Sequence, residues 1–124
     1  MDKKKILLID NDKDFADVVK MALEATEKYE VTVENKGANG FVVARAMKPD
    51  LILLDIVMPD MEGSAVAAQM KDDESLKDVP VIFLTAALTR EEVETQGRVI
   101  GGHPIIAKPV SKEDLISCVE KNIS

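Results

Sequence analysis

The stretch PDLILLDIVMPDMEG, residues 49–63, decides the fold. After Pro49 and Asp50 it has four aliphatic residues, 51–54, and this apolar run ends at the acidic Asp55. A short, continuously apolar run is typical of a parallel strand that is covered on both faces. A proline and a glycine then mark a turn, and residues 64–71 favour a helix. The stretch therefore predicts a buried strand that ends at a carboxylate and leads into a helix.

The same alternation of strand and helix extends to both ends of the chain. The other predicted strands are residues 6–9, 29–34, 81–84 and 105–107, and the other predicted helices lie within residues 15–23, 41–47, 89–98 and 111–123. Five strand–helix pairs predict a parallel sheet with helices on both faces. With right-handed crossovers, the commonest order of five strands is 2-1-3-4-5. We therefore predict an α/β fold, a flavodoxin-like three-layer sandwich with five strands and five helices.

Length and composition narrow the class of protein. The 124 residues and their 46% hydrophobic content suit one domain, residues 1–124, with an aliphatic core, since only 3% are aromatic. The single cysteine excludes an internal disulfide. The apolar run at 6–9 is too short for a signal peptide, and no stretch approaches the roughly 18 residues that span a bilayer. We predict a cytoplasmic protein without membrane contact.

The charge of the chain bears on its partners. The formal net charge is −7, and such a domain repels nucleic-acid phosphates. Direct binding of nucleic acid is therefore not expected. Proteins and cations are the partners that the charge favours.

Polar side chains follow four of the predicted strands. Asp10 and Asn11 follow the first strand, Asp55 ends the third, Thr85 follows the fourth and Lys108 follows the fifth. Because the carboxyl ends of parallel strands share one edge of a sheet, we expect these side chains to gather there. Clustered carboxylates need a cation, and oxygen ligands suit Mg²⁺. An aspartate that attacks phosphorus gives an acyl phosphate, with the metal and an ammonium group neutralising the charge.

Each of these residues also has a structural interpretation. An Asp or Asn after a strand, such as Asp12 or Asn11, commonly caps the next helix. Lys108 could be a solvated surface lysine, and Thr85 suits a strand by propensity. Their joint placement at the ends of four strands favours the functional interpretation.

The chain resembles the receiver domain of two-component response regulators over essentially its whole length. The resemblance rests on ILLIDND at 6–12, PDLILLDIVMPDMEG at 49–63, VPVIFLTA at 79–86 and AKPV at 107–110. It implies that Asp55 accepts a phosphoryl group from a sensor histidine kinase or a histidine phosphotransfer protein. It also implies that a protein-binding surface then switches towards an output partner.

The resemblance assigns the metal ligands and the switch residues by position. Asp10 and Asn11 match the acidic pair that holds Mg²⁺, with Asp55 and the backbone carbonyl of Val57 completing the set. Thr85 matches the switch hydroxyl. In the same way Lys108 matches the lysine that pairs with the phosphoryl group, and the bond from Lys108 to Pro109 is usually cis in the family. Such a domain is not an enzyme beyond accepting and slowly hydrolysing its own phosphoryl group, and its relatives often form homodimers.

Three positions depart from the family pattern. Asn11 replaces the second acid, which lowers the expected Mg²⁺ affinity unless Asp12 compensates. Ile105 stands where the family usually has Tyr or Phe, so the usual readout of the switch is altered. Val57 and Ala87 occupy the two variable positions that tune hydrolysis, and neither can orient a water, which predicts slow self-dephosphorylation.

Two other functions of similar folds need residues that this chain lacks. A haloacid-dehalogenase-type phosphatase needs a second aspartate two residues after the nucleophile, where this chain has Val57. A flavin-binding domain of similar fold needs a phosphate loop after the first strand, and the acidic residues 10–12 would repel that phosphate. A degenerate receiver, which acts by protein contact without phosphorylation, stays open because of Asn11 and Ile105. His103, the only histidine, is predicted to lie in a turn before the last strand.

Overall fold

The structure is a computed structural model that describes residues 3–86, 99–100, 103–108 and 110–123, with the backbone alone for 99–100. Its strands are β1 (Lys4–Ile9), β2 (Tyr29–Glu34), β3 (Leu51–Asp55), β4 (Val81–Thr85), β5 (Val99–Ile100) and β6 (His103–Ala107). Its helices are α1 (Lys13–Glu24), α2 (Gly37–Met47), α3 (Gly63–Lys71) and α4 (Lys112–Asn122). The predicted helix over 89–98, Ala87 and the bond to Pro109 lie outside the described residues.

The five parallel strands have the predicted topology. They are ordered β2-β1-β3-β4-β6, which is the 2-1-3-4-5 order of a flavodoxin-like sheet. A two-residue strand, β5, extends this sheet by pairing antiparallel with the first residues of β6. This strand was not predicted, because two residues carry no detectable hydrophobic period. His103 pairs with Ile100 at the start of β6, so its predicted place in a turn was wrong.

The sheet is covered by core residues on both faces, which explains the continuously apolar runs. Alternate residues of β1 and β3 point to opposite faces, and every residue from Leu51 to Leu54 is completely buried. Leu7, Ile9, Ile52 and Leu54 join the cluster under α2 and α3, whereas Ile6, Leu8, Leu51 and Leu53 join the cluster under α1 and α4. In contrast, β2 alternates buried and exposed residues, as predicted for an edge strand.

Two of the four described helices, α1 and α4, begin at a side-chain cap, whereas the residues before α2 and α3 make none. The Asp12 carboxylate accepts a hydrogen bond from Phe15 N–H at 3.1 Å, and Ser111 Oγ accepts one from Asp114 N–H at 3.1 Å. Helix α2 begins four residues before the predicted position 41, and its preceding residue, Lys36, makes no side-chain cap. None of the helices in the described ranges is long and apolar enough to cross a membrane.

Candidate functional site

The buried polar side chains of the described ranges gather at the carboxyl edge of the sheet. They are Asp10, Asp55 and Thr85, with exposed fractions of 0%, 3% and 1%. Burying an ionisable or hydroxyl group costs free energy unless it is paired. Three such residues at the ends of three adjacent strands therefore mark a built site, and this confirms the expectation that the strand ends converge.

Lys108 enters this site from the end of β6. Its backbone N–H donates to the Thr85 carbonyl at 2.7 Å, which fixes the start of the loop after β6. Its ammonium Nζ lies 2.7 Å from Asp10 Oδ2 and 3.7 Å from Asp55 Oδ2. The side chain is only 10% exposed, and Nζ lies 4.5 Å from the centre of the Phe15 ring. The structural interpretation of Lys108 as a solvated surface lysine is therefore wrong.

The surroundings of Asp55 raise the pKa of its carboxyl group. Burial, reinforced by the negative charge of Asp10, raises the pKa of Asp55 to about 6. Lys108 and the backbone N–H of Val57, which donates to Asp55 Oδ1 at 3.3 Å, oppose that rise. Two carboxylates and one ammonium leave the cluster one negative charge in excess. A further cation would lower the cost of keeping Asp55 ionised.

The donors of this site fit a hard cation. Asp10 Oδ1 accepts the Asp12 N–H at 2.9 Å, but the buried Asp10 Oδ2 has no hydrogen-bond partner among the described residues apart from its ion pair with Lys108. Such an oxygen is a ready metal ligand. The described ranges hold no cluster of three or more His, Cys, Asp or Glu side chains with metal-binding geometry. With the two carboxylates, the Asn11 amide and the Val57 carbonyl that the resemblance implies would make an all-oxygen set, in which waters would complete the shell of Mg²⁺.

The structure places the remaining predicted residues less tightly. Asn11 is exposed at the rim, and Asp12 caps α1, so the carboxylate of Asp12 serves the helix instead of compensating for Asn11. The Val57 side chain is 59% exposed beside Asp55. Ile105 is 4% exposed and packs in the core cluster under α2 and α3.

Three residues near the site were missed from the sequence. The sequence predicts Phe15 only as the first residue of the helix within 15–23, yet its ring lies against the Lys108 ammonium. Asn35 donates from Nδ2 to the Asp10 carbonyl at 2.9 Å and so fixes the acidic loop. Asp60, in the loop after β3, accepts hydrogen bonds from the first N–H groups of α2. These roles depend on contacts between distant parts of the chain, so no local pattern announces them.

Comparisons with known proteins agree with this geometry. The family model described as "Response regulator receiver domain" matches residues 6–120. The DNA-binding dual master transcriptional regulator RpaA of Synechocystis is 34% identical over 93% of this chain and 47% of its own length. The phosphate regulon transcriptional regulatory protein PhoB of Pseudomonas aeruginosa is 36% identical over 92% of this chain and 49% of its own length. The chain thus spans about half the length of these relatives.

Solved structures show the same fold. The chemotaxis response regulator CheY4 of Vibrio cholerae superposes with a TM-score of 0.84 at 24% identity, covering 98% of this chain and 100% of that one. The N-terminal domain of a response regulator receiver protein from Methanoculleus marisnigri has a TM-score of 0.70 at 32% identity, with 94% of each chain covered. The chain therefore belongs to the response regulator receiver domain family.

Proposed function

We propose that this domain accepts a phosphoryl group on Asp55, in a Mg²⁺-dependent reaction, from a sensor histidine kinase or a histidine phosphotransfer protein. The observation that carries the proposal is the buried Asp10–Lys108–Asp55 cluster at the carboxyl edge of the sheet. A purely structural strand end would not retain two buried carboxylates around one lysine, because their desolvation costs more than apolar packing.

Phosphoryl transfer to Asp55 needs an oxygen nucleophile and positive charge around the transferred group. An Asp55 carboxylate oxygen attacks the phosphorus of a phosphohistidine, so a P–O bond forms as the P–N bond to the imidazole breaks. Lys108 Nζ, 3.7 Å from Asp55 Oδ2, lies close enough to pair with an oxygen of the incoming group. The Thr85 hydroxyl, at the end of the adjacent strand, would donate to another phosphoryl oxygen.

The metal ligands are proposed from the same cluster. Asp10, Asn11, Asp55 and the backbone carbonyl of Val57 would hold Mg²⁺, which supplies charge neutralisation during phosphoryl transfer. Asn11 is neutral, so this set carries one negative charge fewer than a pair of acids would. We therefore propose that Mg²⁺ binds this domain more weakly than it binds receivers with two acids after the first strand.

Phosphorylation would change the charge balance that now holds Lys108 on Asp10. A phosphoryl group adds close to two negative charges beside Lys108 and Thr85. Lys108 would then be drawn from Asp10 towards the phosphoryl oxygens, which biases the surrounding loops between two arrangements. Because Ile105 is buried and has no ring to swing, we propose that the readout runs through Thr85 and Lys108, at the ends of β4 and β6, towards an output protein or a second copy of the domain.

The proposed domain is a switch and not an enzyme with a separate substrate. The Val57 side chain has no polar atom to orient an attacking water, and it is exposed beside Asp55. We therefore propose slow loss of the phosphoryl group, on a scale of minutes or longer. The acidic surface of the domain favours protein partners in the cytoplasm over nucleic acid or membrane.

A degenerate receiver is the second candidate, and Asn11 and Ile105 are the observations that favour it. It would act by protein contact alone, and Asp55 would remain unmodified. Phosphorylation explains the buried charges of Asp10 and Asp55 better than contact alone does. Burying ionisable groups costs free energy, and a domain that acts only by protein contact would gain nothing in return.

The two candidates are separated by incubation with acetyl phosphate and Mg²⁺, followed by intact-mass measurement. We expect the wild-type chain to gain the mass of one phosphoryl group, and the gain to disappear with EDTA or in Asp55→Asn. An unmodified wild-type chain at saturating Mg²⁺ would favour the degenerate receiver.

A further inference from the structure

Asp60 lies in the loop that follows the phosphoacceptor strand and bonds to a distant helix. Its Oδ1 accepts the Gly37 N–H at 3.2 Å, and its Oδ2 accepts the Ala38 N–H at 2.9 Å. Both donors belong to the first turn of α2, more than twenty residues away in sequence. The carboxylate therefore joins the loop at 56–62 to the start of a helix on one face of the sheet.

Helix α2 lacks every local means of satisfying those donors. The first N–H groups of a helix have no partner within the helix and normally bond to a capping side chain. Here the preceding residue, Lys36, provides no side-chain hydrogen bond, and the first turn contains no acidic residue. Asp60 supplies both the acceptor oxygens and the negative charge that a helix start favours. The hydrogen bond from Ala38, with that from Gly37, accordingly holds the pKa of Asp60 below its usual range.

The loop and the helix are in close contact at this point. A Cβ on Gly37 would lie 2.9 Å from the flexible end of Met58, at Cε, and 3.0 Å from the Met61 carbonyl oxygen, so a larger residue at 37 would press the loop away from the helix. The loop is also closed at its far end, where Gly63 N–H donates to the Ile56 carbonyl at 2.8 Å. Between these two anchors lies Val57, whose N–H donates to Asp55 Oδ1.

We propose that Asp60 is a positioning residue for the phosphoacceptor site. Its hydrogen bonds fix the loop at 56–62 against the start of α2, and this loop presents the backbone of Val57 to Asp55. The proposal rests on the function proposed above, in which the Val57 carbonyl is a metal ligand. Residues that orient the ligands of a metal typically change metal affinity or activity tenfold to a hundredfold when they are removed.

Asp73 offers a matched control. It too is a loop carboxylate that accepts a backbone N–H, that of Ser75 at 2.8 Å, and it pairs with Arg45 Nε at 3.3 Å. It precedes β4, so it lies at the opposite edge of the sheet from Asp55. Loss of Asp73 removes contacts of the same kind without touching the loop at 56–62.

The test measures the Kd for Mg²⁺ by calorimetric titration, which should change in parallel with a second readout, the Mg²⁺ concentration that gives half the maximal rate of phosphorylation by acetyl phosphate. We expect Asp60→Ala to raise both values about tenfold or more, and Asp73→Ala to leave them within twofold of wild type. Asp60→Asn keeps one acceptor oxygen and should give an intermediate value, which also provides a folded variant if Asp60→Ala is unstable.

The outcomes separate the two proposals. If wild type is phosphorylated and both Asp60 variants match Asp73→Ala in Mg²⁺ dependence, the positioning role is refuted and the proposed function stands. If wild type is not phosphorylated, the proposed function fails and the positioning role fails with it.

Discussion

The ionised Asp55 carboxylate should destabilise the folded domain, and replacing it by a neutral isostere should therefore stabilise the protein. The pKa of Asp55 is raised from 3.8 to about 6, chiefly by burial and by the charge of Asp10. One pKa unit corresponds to about 1.4 kcal/mol, so the ionised group costs the folded state about 3 kcal/mol. We expect Asp55→Asn to raise the free energy of unfolding at pH 7.5 by about 2 to 3 kcal/mol.

The sign of the pH dependence follows from the direction of the shift. Between about pH 4 and pH 6 the folded state binds more protons at Asp55 than the unfolded state, so this group makes the wild type less stable as the pH rises. At pH 4.5 the folded wild type is largely protonated at Asp55. The advantage of Asp55→Asn should therefore shrink there to about 1 kcal/mol.

Urea denaturation in EDTA, at pH 7.5 and pH 4.5, measures both effects. Asp17→Asn is the control, because Asp17 is an exposed carboxylate on α1 and its loss should change stability by no more than about 0.5 kcal/mol. If Asp55→Asn is no more stable than Asp17→Asn at pH 7.5, the ionised Asp55 does not destabilise the folded domain. A gain in stability that is the same at both pH values would contradict the raised pKa of Asp55.

Two further substitutions test the neighbours of Asp55. Lys108→Met removes the only described cation between two buried carboxylates. We expect urea denaturation at pH 7.5 to show that the free energy of unfolding falls by about 3 to 5 kcal/mol, and that the double variant with Asp55→Asn recovers much of this loss. A loss that Asp55→Asn does not reduce would contradict this prediction. Asn11→Asp restores a second acid beside Asp10, and calorimetric titration should show a lower Kd for Mg²⁺ than in wild type; an unchanged Kd would mean that position 11 does not contact the metal.

The fold was largely predictable because the strongest signals lie in the buried strands. The run at 51–54 is apolar at every position since both of its faces are buried, and the alternating pattern of 29–34 marks an edge strand. The predicted start of α2 is four residues late, because its first four residues, Gly37 to Gly40, have no hydrophobic period. Its cap comes from Asp60 in another loop, which no local pattern reveals.

The site was predictable as a set of strand ends but not as a set of contacts. The topology alone brings Asp10, Asp55, Thr85 and Lys108 to one edge, and the structure confirms this. The sequence does not reveal that Lys108 pairs more closely with Asp10 than with Asp55, nor that Phe15 covers the ammonium. Both contacts of Lys108 depend on side-chain packing between α1 and the end of β6.

The central claim is that the phosphoryl group resides on Asp55, and it is tested most directly by mapping the acyl phosphate. After treatment with acetyl phosphate and Mg²⁺, borohydride reduction converts a phosphorylated aspartate into homoserine, which peptide mass spectrometry locates. We predict homoserine at position 55 and at no other aspartate. Homoserine at position 10 or 60, or none at all under saturating Mg²⁺, would contradict the account.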